Sequence, residues 1–186
     1  VAVIGDMAAT ARYQGSGSST VNATKEENLL DVVKNADGLV LAGYEQGYDR
    51  QGKPDEVLLN DAVALAKKDA VDVVLAVVGL DERSESEGLD RSTMAIPQAQ
   101  NDLVTALAKT GKPVVIVLVA GSPVELPWFN DVAAMLYVGL SGQAGASATV
   151  RALTGEVNPS GHLAETWPMQ YEDCPSSGWY PAIGRD

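Results

Sequence analysis

The chain has 186 residues, 46% hydrophobic and 5% aromatic, and its 25 acids outweigh 13 bases to give a net charge of −12. That size suits one domain with a full core, while the negative field repels phosphate backbones and anionic lipid. Nucleic acid and membrane surfaces are therefore not expected partners, whereas a neutral ligand such as a sugar is compatible. The longest apolar run, residues 113–120, is far short of the roughly 20 residues needed to cross a bilayer. Cys174 is the only cysteine and His162 the only histidine, so neither an intrachain disulfide nor a Cys/His metal site is expected, and no cofactor is implied. The first residues, Val1-Ala2-Val3-Ile4-Gly5, carry no signal-peptide pattern, and the compartment stays open between cytoplasmic and periplasmic or secreted.

Strand and helix signals alternate along the chain. Residues 1–5 form a short apolar run of the kind that makes a buried parallel strand. Residues 25–36 place Leu29, Val33 and Ala36 on one helical face, with Thr24 as the expected cap and Glu26 and Glu27 in the first turn. A second strand is predicted over 38–44, and a helix over 54–68 with Leu58, Ala62 and Leu65 aligned. The run 71–79 is the third strand. A helix starting at Pro97 carries Leu103 and Leu107 inward and stops at Gly111. Residues 113–120 and 132–139 read as the fourth and fifth strands, and 145–154 as a last helix. From Glu156 onward the composition turns to Pro, Gly, Ser and Trp without a clear period.

Such alternation predicts an α/β fold: a doubly wound, mostly parallel sheet between two helical layers, in a single domain. Both ends, Val1 directly on a strand and the polar residues Ile183-Gly184-Arg185-Asp186, have the look of a segment cut from a larger polypeptide.

The loop after the third strand is the first candidate for chemistry. It reads Asp81-Glu82-Arg83-Ser84-Glu85-Ser86-Glu87-Gly88-Leu89-Asp90-Arg91, at the sheet edge where α/β folds place ligand crevices. A carboxylate held there can act as an acid, although a solvated charged turn also fits. Its five acids repel one another, and only Arg83 and Arg91 offset them locally, which predicts a loose loop. Asp90-Arg91 reads equally as an internal ion pair and as a ligand contact. Gly15-Ser16-Gly17-Ser18-Ser19 fails as a dinucleotide fingerprint, because its glycines lie too far past the strand and no helix is predicted to start there. A hydroxyl-rich loop beside Arg12, Tyr13 and Gln14 fits better. Trp128 is expected in packing, and His162 in a turn.

Taken together these segments resemble the C-terminal sandwich domain of the family 3 glycoside hydrolases, the β-glucosidase and β-xylosidase family. The resemblance rests on Val1 through Gly5, Tyr13 through Ser19, Glu85 through Arg91, Ile96-Pro97, Gly121 through Glu125, and the stretch from Gly155 through Pro168, all in the family's order. It implies the acid/base half of a retaining, exo-acting β-glycosidase, most simply a β-glucosidase. The nucleophilic aspartate would come from an N-terminal barrel, nothing like which occurs in residues 1–186. Counting from Gly79, the resemblance puts the acid/base on Glu85, with Glu87 as the alternative. Tyr13, Gln14, Asp90 and Arg91 become substrate-binding candidates. The implied partners are a β-glucoside or related oligosaccharide and the barrel; the chain alone is expected to turn nothing over. A non-catalytic carbohydrate-binding module is the rival reading. A receiver or cofactor domain would need acids clustered after the first strand, where only Asp6 stands.

Overall fold

The computed structural model describes residues 1–180; the polar end, residues 183–186, lies outside them. Five parallel strands form one sheet in the order β2-β1-β3-β4-β5. They are β1 (Ala2–Ile4), β2 (Gly43–Glu45), β3 (Val74–Gly79), β4 (Val114–Val119) and β5 (Ala134–Tyr137). The register pairs Ala2 with Gly43 on one side and with Val74 on the other, and Val74 in turn with Val114. Helices α1 (Asp6–Ala9), α2 (Leu29–Lys34), α3 (Glu56–Ala66), α4 (Gln98–Ala108) and α5 (Gly145–Leu153) complete the alternation.

The strand pleat sorts the core into two layers, because successive side chains point to opposite faces. Ala2, Ile4, Val74, Ala76, Val78, Ile116 and Leu118 face α3 and α4, meeting Ala62, Leu65, Leu103 and Leu107. Val3, Leu75, Val77, Val117 and Val119 face the other way, onto Met7, Leu29, Leu30, Val33 and Val150. Both faces of β3 are buried along its whole length, so its sequence is a continuous apolar run. This is the three-layer, doubly wound α/β sandwich that the alternation predicts.

The ends of the elements differ where tertiary contacts compete with local signals. The first long helix begins at Leu29 and not at residue 25: Asn28 caps it by accepting from the Asp31 amide at 2.8 Å, so Thr24 is not its cap. Glu26 and Glu27 leave the helix for other partners. Glu27 accepts from the Ser147 amide at 3.1 Å and its hydroxyl at 2.6 Å, placing an acid in the first turn of α5, where the helix dipole favours it. The second strand is shorter than 38–44. It is an edge strand paired only with β1, whose three residues limit the ladder, and Val40 ahead of it is 81% exposed. The short α1 directly after β1 has no counterpart among the predicted elements. Trp128 packs, as expected: it is 1% exposed and its indole donates to Asn101 at 2.8 Å.

At the carboxyl end of β3 the two central strands approach closely. Gly79 has φ +151°, and a Cβ there would stand 1.8 Å from the Val119 carbonyl oxygen. Only glycine fits, so the loop that follows leaves the sheet from a fixed point.

Candidate active site

The strand order turns around between β1 and β3, since the chain goes from β1 outward to β2 and then returns to β3. Parallel sheets leave a crevice at the carboxyl ends of such strands. Here a cavity of about 1280 Å³ opens there, lined among others by Arg12, Ser18, Glu85, Glu87, Arg91 and Ser122. These come from the loops after α1, β3 and β4, brought together by the parallel arrangement.

Glu85 is held on every side. Its Oε2 meets Arg12 Nη1 at 2.6 Å, in a pair whose side chains are 1% (Arg12) and 14% (Glu85) exposed. The Gly121 amide donates to both carboxylate oxygens at 3.1 and 2.9 Å, and the Ser122 hydroxyl donates to Oε1. Arg12 also donates to the carbonyls of Leu80 at 2.7 Å and of Glu85 itself at 3.2 Å. Burial by itself pushes the Glu85 carboxyl up. The bonds from Ser122, Arg12 and Gly121 outweigh that and hold it below the usual carboxylate range.

Glu87, two residues on, is exposed. Its Oε2 accepts from the Ser18 amide at 2.6 Å, and its own amide donates to the Ser16 carbonyl at 3.0 Å. Hydrogen bonding from Ser18 lowers its pKa. Gly17 makes this contact possible: it has φ +108°, and a Cβ would lie 2.6 Å from the Glu87 Cβ.

The other candidates separate. Asp90 and Arg91 both line the cavity but do not bond each other as a fork. Asp90 bonds to the Tyr180 hydroxyl and raises its pKa. Arg91 donates to the Ser122 hydroxyl at 3.2 Å and the Pro123 carbonyl at 2.9 Å, and burial lowers its pKa. Tyr13 and Gln14 lie outside the residues that line this cavity. The Tyr13 hydroxyl donates to Glu26 at 2.6 Å, which raises the tyrosine pKa, and Gln14 bonds to Val21 in both directions. His162 is exposed.

The expected repulsion within loop 81–91 is relieved from outside the loop. Arg12 takes Glu85. Arg50 takes Glu82 through Nε and Nη2 at 3.2 and 2.6 Å, and reaches Asp6 at 2.7 Å. Asp81 accepts from the amides of Arg83 and Ser84. The arginines expected to help, Arg83 and Arg91, form no ion pair with these acids among the described residues.

In the sequence Arg12 stands out only as a neighbour of the glycine-serine loop, and Arg50 does not stand out at all. A lone arginine closing the small-residue stretch from Met7 to Ala11 was the available signal for Arg12. Tyr171 and Tyr180, on the far wall, come from the aperiodic tail and had no signal. Among the described residues no group of three or more His, Cys, Asp and Glu gathers as a metal site, and no helix is long and apolar enough to cross a membrane. What the cavity offers is a free carboxylate edge, hydroxyls and a buried guanidinium, which is chemistry suited to a polyhydroxylated ligand and proton transfer to oxygen.

Comparisons with known proteins place the fold in a family. The model of the glycosyl hydrolase family 3 C-terminal domain matches residues 1–183. The chain is 43% identical over 178 residues to thermostable β-glucosidase B of Acetivibrio thermocellus, covering 95% of this chain and 23% of that protein. It is 39% identical over 183 residues to an exo-α-(1→6)-L-arabinopyranosidase of Bifidobacterium breve, covering 97% and 24%. The crystal structure of a family 3 β-glucosidase from Bifidobacterium adolescentis superposes with a TM-score of 0.89 at 41% identity, over 97% of this chain and 26% of that one. The chain thus spans about a quarter of the length of the curated relatives it matches. With a superposable fold and a family match over nearly every residue, the chain belongs to the glycosyl hydrolase family 3 C-terminal domains.

Proposed function

We propose that this domain supplies the general acid/base carboxylate and one wall of the sugar pocket to a retaining, exo-acting β-glycosidase, a β-glucosidase by preference. The observation that carries this reading is Glu87, an exposed carboxylate on the cavity wall that is held through hydrogen bonds from Ser18 and not through a guanidinium. Counting along the loop favours Glu85, but the geometry moves our choice to Glu87. A general acid must be protonated at the start of the reaction. Glu85 meets a guanidinium, an amide and a hydroxyl, all of which favour its anion.

In the proposed reaction an aspartate of an N-terminal barrel, outside these residues, attacks the anomeric carbon. The Glu87 carboxyl gives its proton to the departing glycosidic oxygen. The resulting carboxylate then takes a proton from the water that hydrolyses the glycosyl-enzyme. Retention asks for about 5–5.5 Å between the two carboxyl groups, and the open side of Glu87 leaves room for the barrel to approach. Closure of a barrel over Glu87 would strip water from it and raise its pKa into the working range of an acid. Asp90 and Arg91, on the same cavity, are the favoured sugar contacts. Tyr13 and Gln14 directly precede Gly15 and Ser16 of the cavity lining in the chain.

The domain by itself carries half of this machinery, so the 186-residue chain is expected to hydrolyse no aryl β-glucoside above background. In the full-length enzyme, Glu87→Ala should lower kcat/KM for poor leaving groups by about 10²–10⁴-fold, spare activated aryl glucosides, and yield β-glucosyl azide when azide is added. If Glu85→Ala shows that pattern and Glu87→Ala does not, the acid/base is Glu85.

A second reading has one observation in its favour: hydrogen bonds hold both glutamates below the usual carboxylate range, which suits anions that orient sugar hydroxyls. A non-catalytic binding module predicts saturable glucose binding by the chain alone and no activity with any barrel.

A further inference from the structure

We infer that the Arg12–Glu85 pair is a positioning device, a pin that joins three loops and sets where the Glu87 carboxylate stands. The inference rests on the proposed role of Glu87. It adds that Glu85 acts through Glu87 and never touches the substrate's reacting atoms.

The pin is made of contacts distant in sequence. Arg12 belongs to the segment after α1, Glu85 to the loop after β3, and Gly121 and Ser122 to the loop after β4. The guanidinium holds the Leu80 carbonyl at the end of β3 and the Glu85 carboxylate at once. The carboxylate in turn holds the Gly121 amide, the first residue beyond Ala120 at the end of β4. Ser122 continues the chain of bonds by donating to Glu85 while accepting from Arg91 on the cavity wall. Arg12 is buried and Glu85 half-buried, so the pair is shielded from solvent more than a surface ion pair is, and its geometry is held the more firmly.

The two segments joined by the pin meet again at Glu87. Four and six residues beyond Arg12, the Ser16 carbonyl and the Ser18 amide grip the Glu87 backbone and side chain. Glu87 is two residues from Glu85, so its Cα can lie no farther than about 7 Å from the pinned one. Arg12 with Ser16 and Ser18 on one segment, and Glu85 with Glu87 on the other, make a closed frame. Glu87 has no ion-pair partner of its own among the described residues, so the frame is what orients it. Loss of the pin frees both segments together.

The test uses Arg12→Lys, Glu85→Gln and Ser122→Ala, made in the 186-residue chain and in the full-length enzyme. Glutamine keeps the size of Glu85 and one acceptor but turns an amide group toward the arginine's donors. In the chain, the Ser18 and Gly121 amide resonances should move in Glu85→Gln, while those of Leu75 to Val78 stay in place. An unmoved Ser18 resonance overturns the inference, and this arm needs no catalysis. In the enzyme, Glu85→Gln and Arg12→Lys should each lower kcat/KM for poor leaving groups by about 10²-fold, the loss expected from misplacing a catalytic group by an ångström. Dinitrophenyl glucosides should suffer much less, azide should not rescue because Glu87 remains, and the double variant should lose no more than the worse single one. Additive losses overturn the pin. So does azide rescue of Glu85→Gln, which would make Glu85 the acid/base. Should Glu85→Gln fail to fold, Ser122→Ala decides by the same two readouts with smaller expected changes. A full-length wild type that cleaves no glycoside refutes the proposed function and leaves the amide shifts to judge the pin.

Discussion

Glu85 and Glu87 stand two residues apart on one loop, yet they belong to different kinds of structure. Around Glu85 the loop is seamed to the sheet: a buried guanidinium, a strand-end amide and a hydroxyl converge on one carboxylate. Around Glu87 the same loop faces solvent and leans on the glycine-serine segment through bonds to Ser16 and Ser18. The difference teaches how two neighbouring acids can be set apart: contacts from distant segments tie one into the fold and leave the other exposed, which under the proposed function is a division between anchor and acid.

The seam is broken most severely at its foundation. Gly79→Ala would force a Cβ against the Val119 carbonyl in a backbone conformation that L-residues avoid, and should destabilise the chain by more than about 3 kcal/mol. Urea unfolding measures it, and a loss under 1 kcal/mol would show that β3 and β4 can separate there.

Arg12→Ala comes next. Removing one member of a buried pair leaves the other charged and unmatched, a change of about 3–5 kcal/mol for full burial. The partial exposure of Glu85 puts the expectation at the lower end. By contrast Glu87→Gln should leave the urea midpoint unchanged, because that side chain is exposed. Equal losses in the two variants would erase the distinction between seam and wall.

A smaller effect sharpens the comparison with acid. The folded pKa of Glu85 lies below its unfolded value, so its contribution is present above the ordinary carboxylate pKa of about 4.3 and fades as pH falls through the folded value. Glu82, lowered by Arg50 against its burial, adds to the slope in the same sense. The gap in urea midpoint between wild type and Glu85→Gln should therefore be constant from pH 7 down to about 5 and narrow below it. A gap that widens in acid would mean that Glu85 is bound as the neutral acid.

A change at the open wall joins a modest effect on stability to a clear change in function. Gly17→Ala crowds the Glu87 Cβ at the open wall, far from the core. It should shift the Glu87 resonances in the chain, lower the urea midpoint less than Gly79→Ala does because the crowded atoms lie in an exposed loop that can yield, and reduce turnover of poor leaving groups in the full enzyme.

Much of this fold was legible as pattern. The runs that became β3 and β4, and the stripe of Leu103 and Leu107 on α4, are local signals that the core then satisfied. Boundaries were less legible where a distant partner competed. Glu27 sits next to a helix in sequence but caps α5, 120 residues away, because a helix N-terminus there offered it an amide and a hydroxyl.

The same division holds at the site. Sequence by itself determined the α/β alternation, the loop at the carboxyl edge of the sheet, and the ordered motifs that mark the family, since each depends on residues near one another along the chain. Only the tertiary structure decided which acid is tied and which is free. Arg12 meets Glu85 across 73 positions and Gly121 meets it across 36, and such pairings follow from strand order and packing. A carboxylate reads the same in any loop; its protonation and reach depend on the charges and amides that the fold brings beside it.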